Sequence, residues 1–134
     1  MLYMLYRIYG LAYIKSMNIE ATEVFKQFAD ITRLRCLLLL QSEGELCVCE
    51  LIHAIAESQP KISRHLAHLR KSGLVVDRKE GLWVHYRLNP ALPEWVNAVL
   101  AETLAAASST EQPYGSDLVN LSDMPNRPGS RCCA

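Results

Sequence analysis

Cysteine pairs offer the clearest chemistry in this chain of 134 residues. Cys47 and Cys49 stand one residue apart in ELCVCEL, Cys132 and Cys133 are adjacent at the C-terminal end, and Cys36 lies alone in a leucine run. Thiolates bind soft ions and also oxidise to disulfides. The odd total of five thiols and their spacing do not suggest a disulfide framework. We therefore expect a reduced, cytoplasmic setting in which thiols serve metal or redox chemistry.

The Cys47 and Cys49 thiols fall at the start of a predicted helix, LCVCELIHAIAE, whose apolar positions recur at i, i+3, i+4 and i+7 from Val48. Helical positions two apart are turned by about 200°. The spacing thus predicts sulfurs on opposite shoulders of the buried face. One ion bound by both would distort the first turn, so the pattern predicts a switch. The positive end of the helix dipole would favour the thiolates.

The charge is zero overall but unevenly distributed. Between positions 59 and 90, seven cations stand against two anions, whereas positions 17–58 carry three cations and seven anions. A basic block of this kind is typical of a surface that binds phosphate. The charge pattern therefore favours a nucleic-acid partner, despite the neutral total.

Periodicity predicts the elements around these residues. Two helices are expected in IEATEVFKQFADI and TRLRCLLLLQSEG, the second at the buried centre and ending at Gly44. The thiol helix and a basic helix, PKISRHLAHLRKSG, are joined by a turn in which Ser58 caps and Pro60 suits the first helical turn. A period of two follows in LVVDR and LWVHYRL around Gly81, which predicts a hairpin. The last helix, from Pro93 to Ala107, is apolar enough to need a partner.

These elements predict an α+β, mostly α fold: a winged helix-turn-helix with a two-stranded β-hairpin wing and N- and C-terminal dimerisation helices. We assign 17–107 to that domain, 1–16 to an N-terminal extension, and 108–134, rich in Ser, Pro, Asn and Gly, to a disordered tail. The apolar stretch in 1–14 is too short to span a bilayer and has no cleavage site, so no stable membrane association is expected.

ELCVCEL, SQPKISRHLAHLRKSGLV and DRKEGLWVHYRL together resemble the ArsR/SmtB family of metal-sensing winged-helix repressors, and within it the arsenic-responsive branch. The resemblance covers about residues 20–104. It implies a homodimer that binds double-stranded operator DNA of an arsenic-resistance operon and leaves it when As(III) or Sb(III) binds Cys47 and Cys49. Some such relatives carry a third Cys where this chain has Ile52. Cys132 and Cys133 are candidate additional ligands, whereas Cys36 is expected to pack in the core.

The resemblance also assigns residues to DNA. Arg64 is the candidate for a base edge, because Arg bonds guanine bidentately. Cations of the basic helix and the wing are better suited to phosphate. The expected DNA-binding residues are Gln59, Lys61, Ser63, Arg64, His65, His68, Lys71, Arg78, Lys79 and Arg87.

Two other functions stay open from the sequence. A Cd(II)- or Pb(II)-responsive repressor would use the same thiol pair, and a thiol-redox-sensing regulator would oxidise it. The zinc-sensing site of the family is absent, because the last helix has neither His nor Asp. No nucleophile with a base, phosphate loop or carboxylate pair is present, so the chain is not expected to be an enzyme or to need an organic cofactor.

Overall fold

A computed structural model describes residues 18–109, 111–125 and 127. The predicted N-terminal extension lies outside them, as do Cys132 and Cys133. In chain order the elements are α1 (Ala21–Phe28), α2 (Ile31–Glu43), β1 (Glu45–Cys47), α3 (Val48–Ile55), α4 (Gln59–Lys71), β2 (Val75–Glu80), β3 (Trp83–Leu88), α5 (Glu94–Ala107), a π-helical turn (Glu111–Gly115) and α6 (Ser116–Ser122).

Helix α2 is the buried centre of the fold, as its leucine run predicts. Residues 36–40 are all buried, and Leu51, Ile62 and Leu100 from three other helices join the same core. The Asp30 side chain caps the helix by accepting from the Arg33 N–H at 2.9 Å. The helix ends at Glu43 because Gly44 takes φ +88°, a conformation that costs a glycine little.

Helices α3 and α4 form the predicted helix-turn-helix. Ser58 accepts from the Lys61 N–H at 3.4 Å and Pro60 lies in the first turn, both as expected. Ile62, Leu66 and Leu69 bury one face of α4 against the core. Because that face is fixed inward, the opposite, polar face of the helix points to solvent.

The sheet has three strands in the order β1-β3-β2, all antiparallel. The two-stranded wing of β2 and β3 was predicted, with Gly81 at φ +63° in its turn. Strand β1 was not predicted, because it is three residues long and its partner lies about forty residues further on. In the register, Cys47 pairs with His85 and Glu45 with Arg87. The thiol segment is thus joined directly to the wing.

The C-terminal segment corrects a prediction. Positions 111–122 were expected to be disordered, yet they form the π-helical turn and α6, which packs on α3. The Asp117 carboxylate accepts from Arg35 Nη2 at 2.7 Å, the Asn120 amide donates to the Ala54 carbonyl, and Leu121 is buried. The prediction of disorder relied on the Ser and Pro content of the segment and gave no weight to these few anchoring residues. The 17–107 and 108–134 division remains a prediction.

The rest of the predicted architecture is confirmed: α5 runs over the expected residues, and helices with a winged helix-turn-helix make up the α+β, mostly α fold. Within the part of the chain that is described, no helix has the length and apolar character required to cross a bilayer.

Candidate thiol site and nucleic-acid interface

The Cys47 and Cys49 sulfurs lie 2.7 Å apart. The prediction that helical geometry holds them on opposite shoulders of α3 is wrong. Cys47 is the last residue of β1 and precedes the helix in an extended conformation (φ −84°, ψ 164°), so only Cys49 lies within the first turn. The extended residue turns its side chain back toward Cys49, and the two sulfurs already converge.

Glu50 shapes the turn that holds these sulfurs. Its buried carboxylate accepts from the Cys47 N–H at 3.0 Å, at the third helical position, as in a capping box. Cys47 is fully buried and Cys49 is partly exposed. Both sulfurs lie at the helix N-terminus, where the dipole favours a thiolate. In the reduced protein the site therefore offers two soft donors, with solvent access on the Cys49 side.

The other described thiol is not part of this site. Cys36 is fully buried in the core, and burial raises the pKa of its thiol to about 12. Its predicted packing role is confirmed. Across the described residues, no group of three His, Cys, Asp or Glu side chains is arranged to hold a metal ion. Cys49 is disulfide-bonded in this structure, so the ligand chemistry considered below belongs to the reduced protein.

Strand pairing connects the thiol pair with the wing. Cys47 faces His85 of β3, which in turn faces Arg78 of β2, so the three side chains share one face of the sheet. At the other end of β1, Glu45 binds Arg78, whose Nε lies 3.0 and 2.9 Å from the two carboxylate oxygens. This hydrogen-bonded contact lowers the pKa of Glu45. Strand β1 is thus linked directly to a cation of the wing.

Most of the predicted DNA-binding residues are exposed on α4 and on the wing. On α4, Arg64 projects from the solvent face, and among the described residues it has no carboxylate partner. The wing contributes exposed cations from both strands. The predicted residues that are exposed and form no ion pair with any described residue are Gln59, Ser63, Arg64, His68, Lys71, Lys79 and Arg87.

Lys61 and Arg78, two of the residues predicted to bind phosphate, already form ion pairs within the protein. The Lys61 ammonium lies 3.0 Å from Glu57, one helical turn earlier, and Arg78 binds both Glu45 and Glu80. A phosphate would have to compete with these carboxylates. Lys61 and Arg78 therefore remain candidates, but their cations are less available than Arg64 or Lys79.

His65 was predicted to contact DNA, but the structure leaves little of its side chain accessible. The residue is only 8 % exposed and turns toward the α1–α2 junction, with Nδ1 3.6 Å from the Asp30 carboxylate. No hydrogen-bond partner reaches Nδ1 from the described residues. Position 65 follows buried Ile62 by three residues, a spacing that places it on the inner edge of the helix.

Several residues that build the site were missed by sequence reasoning. Glu50 follows Cys47 by three residues, which is a capping-box signal that the helical interpretation overlooked. Glu45 gave no local signal, because Arg78 is distant in sequence. Arg127 Nε donates to Glu50 at 3.1 Å, and its Nη2 also binds Glu43.

A helix-turn-helix followed by a β-hairpin defines a winged-helix DNA-binding regulator. Comparison with solved structures agrees. HlyU from Vibrio cholerae matches 66% of this chain and 92% of its own, with a TM-score of 0.60 and 35% sequence identity.

Sequence comparison then defines the family. Residues 30–76 match the model described as bacterial regulatory protein, arsR family. The chain is 51% identical over 117 residues to the arsenic resistance transcriptional regulator ArsR2 of Pseudomonas putida KT2440, covering 86% of this chain and 99% of the relative. It is 59% identical over 80 residues to the arsenical resistance operon repressor of Escherichia coli K12, covering 60% and 68%. The chain belongs to the ArsR family of bacterial transcription regulators.

Membership in this family makes the chain a DNA-binding regulator rather than an enzyme. The resemblance noted from the sequence is thereby confirmed. The roles of individual thiols and cations are not decided by family membership, and they rest on the geometry above.

Proposed function

We propose that this protein represses an arsenic-resistance operon and that As(III) or Sb(III), bound by Cys47 and Cys49, releases it from operator DNA. The observation that carries this proposal is the convergence of two sulfurs to 2.7 Å at the start of the helix-turn-helix. Two thiolates at a helix N-terminus suit a soft, thiophilic ion better than a hard cation such as Mg²⁺. Relatives named for arsenic resistance support the choice of metalloid.

Binding is a ligand exchange. Arsenite enters as As(OH)₃, and each cysteine sulfur forms an As–S bond as one As–O bond breaks. The thiol proton leaves with the hydroxide as water, and arsenic keeps its oxidation state. No base on the protein is needed beyond the thiolate-favouring helix terminus.

Strand β1 would transmit the effect of metalloid binding to the DNA-contacting residues. The ion joins the last residue of β1 to the first turn of α3, so the two elements must move together once it is bound. Because β1 is hydrogen-bonded to β3 and Glu45 binds Arg78, that movement shifts the wing relative to α4. An operator contacted by both surfaces would then lose one set of contacts. Ligand binding favours the arrangement that fits DNA less well.

On the DNA side, α4 would enter the major groove with Arg64 on a base edge. Lys71, Lys79 and Arg87 would neutralise phosphates beside it. The predicted homodimer would form through α1 and α5. These helices place Phe25 and Trp95 with ring centroids 6.0 Å apart, and Phe25 is 51% exposed. A second copy covering these rings would set the spacing of two recognition helices.

The test is a gel-shift titration of the reduced protein on DNA from upstream of its own gene, with arsenite, antimonite, cadmium and peroxide in parallel. Unmodified protein should release DNA at the lowest dose with arsenite or antimonite. A Cys47→Ser/Cys49→Ser variant should keep DNA binding and lose this release. Cys36→Ala is the matched control, because it removes a thiol outside the site. Release retained in the double variant would refute the proposal.

A redox sensor is the second candidate, since in the reduced protein the Cys47 and Cys49 sulfurs are close enough for a small displacement to join them. In that case peroxide would free the DNA at the lowest dose. A thiol reductant would then restore binding.

A further inference from the structure

We infer that Arg127 is a positioning residue of the thiol pair: acting through Glu50, it holds Cys47 where its sulfur faces Cys49 in the reduced protein. This inference rests on the proposed function, because it concerns the same two ligands. A guanidinium has no lone pair to offer an ion. The contribution of Arg127 is therefore the geometry of the two sulfurs that do bind.

The Glu50 carboxylate links Arg127 to Cys47. One carboxylate oxygen, Oε1, accepts from the Cys47 N–H at 3.0 Å, and the other, Oε2, accepts from Arg127 Nε at 3.1 Å. Glu50 is only 5% exposed. Burying a carboxylate is costly unless a cation or several donors compensate it, and the guanidinium supplies that cation. The hydrogen bond to Cys47 therefore depends on the ion pair with Arg127.

This hydrogen bond supports the backbone conformation that brings the sulfurs together. Cys47 precedes α3 in an extended conformation, and its N–H is held in the capping box that it forms with Glu50. If Cys47 joined the helix, its side chain would be turned by about 200° from that of Cys49. The Glu50 carboxylate thus favours the conformation in which the two sulfurs converge.

Arg127 also binds both ends of the segment that carries the thiols. Its Nη2 binds Glu43, the last residue of α2, while its Nε binds Glu50 in the first turn of α3. Residues 44–49, which include both cysteines, lie between these two carboxylates in the chain. One guanidinium thus holds the ends of this segment together and limits the conformations that it can adopt.

Helix α6 brings the C-terminal segment to α3. The Asn120 amide donates to the Ala54 carbonyl at 3.1 Å, and Leu121 is buried in the core. These contacts attach α6 to the C-terminal half of α3, and Arg127 binds the N-terminal turn of the same helix. Helix α3 is therefore contacted near both ends by residues that follow α5 in the chain.

Such positioning affects a ligand held by two sulfurs and not a ligand held by one. The second bond of a chelated ion forms within one molecule, so the affinity depends on how well the two sulfurs are preorganised. Residues that orient metal ligands without binding the metal typically contribute about 10- to 100-fold to affinity. A comparison of one-sulfur and two-sulfur ligands therefore separates positioning from a general loss of structure.

The experiment compares phenylarsenoxide with methylmercury on full-length, reduced protein in the absence of DNA. The hydrate of phenylarsenoxide exchanges two As–O bonds for two As–S bonds, and the thiol protons leave as water. Methylmercury hydroxide forms one Hg–S bond and also releases water. Both are titrated in competition with β-mercaptoethanol. Cys132 and Cys133 are replaced by Ser in every sample, so that the probes report on Cys47 and Cys49.

In this background, Arg127→Gln should weaken phenylarsenoxide binding by about 10- to 100-fold and leave methylmercury binding unchanged. Glu50→Gln already removes the ion pair, so Arg127→Gln should add nothing to its effect. Arg70→Gln is the control, because it breaks an exposed ion pair with Asp77 and should change neither affinity.

Three results would overturn the inference: equal loss of both affinities in Arg127→Gln, unchanged phenylarsenoxide binding, or additive losses in the Glu50→Gln/Arg127→Gln variant. The proposed function has a separate readout, since phenylarsenoxide should release the unmodified protein from operator DNA. Failure of that release would count against the proposed function, whereas the affinity comparison decides the role of Arg127 in either case.

Discussion

The carboxylate of Glu45, the first residue of β1, accepts hydrogen bonds from Arg78 of the wing across the intervening strand β3. Two residues further along β1 lies Cys47, so the strand has a wing cation at one end and a thiol ligand at the other. In the proposed mechanism, a change at the sulfurs would reach the wing through these three hydrogen-bonded strands. The arrangement also occupies the Arg78 guanidinium with a carboxylate.

Glu45→Gln should free Arg78 for DNA. The amide no longer holds the guanidinium as an ion pair, so one more cation can neutralise a phosphate. The slope of log K against log salt should become steeper by up to about 0.9. Fluorescence anisotropy over a series of salt concentrations measures this slope. Glu94→Gln, an equivalent change on α5, serves as the control, and an identical slope in both variants would contradict the role of Glu45.

Arg64→Ala should weaken binding to the specific operator by about 1 to 3 kcal/mol if Arg64 reads a base. Binding to unrelated DNA should change less. Lys71→Ala should weaken both about equally, because a phosphate contact carries no sequence information. Competition gel shifts with specific and unrelated DNA separate the two effects. Equal losses on both DNAs for Arg64→Ala would reassign it to the backbone.

His65 should make stability depend on pH. Burial lowers the pKa of His65, although the Asp30 carboxylate favours its charged form. The unfolded chain has the ordinary pKa of about 6.5 and therefore takes up the proton first on acidification. The contribution is complete above about pH 6.5 and declines toward the lower folded pKa, by at most about 1.4 kcal/mol per pH unit.

Urea unfolding between about pH 7.5 and 5.5 measures this dependence. His65→Gln should flatten it. His68→Gln, an exposed histidine on the same helix, should leave it unchanged. Equal slopes in the unmodified protein and the His65→Gln variant would show that another group is responsible.

Asp117→Ala should detach α6 from α3. The Arg35 guanidinium, which is 15% exposed, would lose its carboxylate, and breaking a buried pair of this kind costs about 3 kcal/mol. Limited proteolysis should then cut near 108–125 at lower protease concentration. Asp123→Asn, an exposed carboxylate just past the helix, should leave the cleavage pattern unchanged. Replacing the pair together by Arg35→Met and Asp117→Leu should recover most of the protection.

The sequence by itself determined the elements whose hydrophobic periods and capping residues lie close together along the chain. The leucine run of α2, the Ser58 cap and the alternating residues of the wing each act within one or two turns of chain, so their periods and caps predict the winged helix. The inward-facing edge of α4 could also be predicted, because His65 follows the buried Ile62 by three residues; the family resemblance instead assigned His65 to DNA.

Tertiary structure decided how the thiol pair is arranged and what surrounds it. Strand β1 exists because β3 offers it hydrogen bonds, and that pairing makes Cys47 extended and brings its sulfur to Cys49. Helix α6 and Arg127 depend on carboxylates and cations more than seventy residues away. A local pattern contains no information on such partners, because the free energy of an ion pair or a strand ladder depends on which distant segment the fold places opposite it.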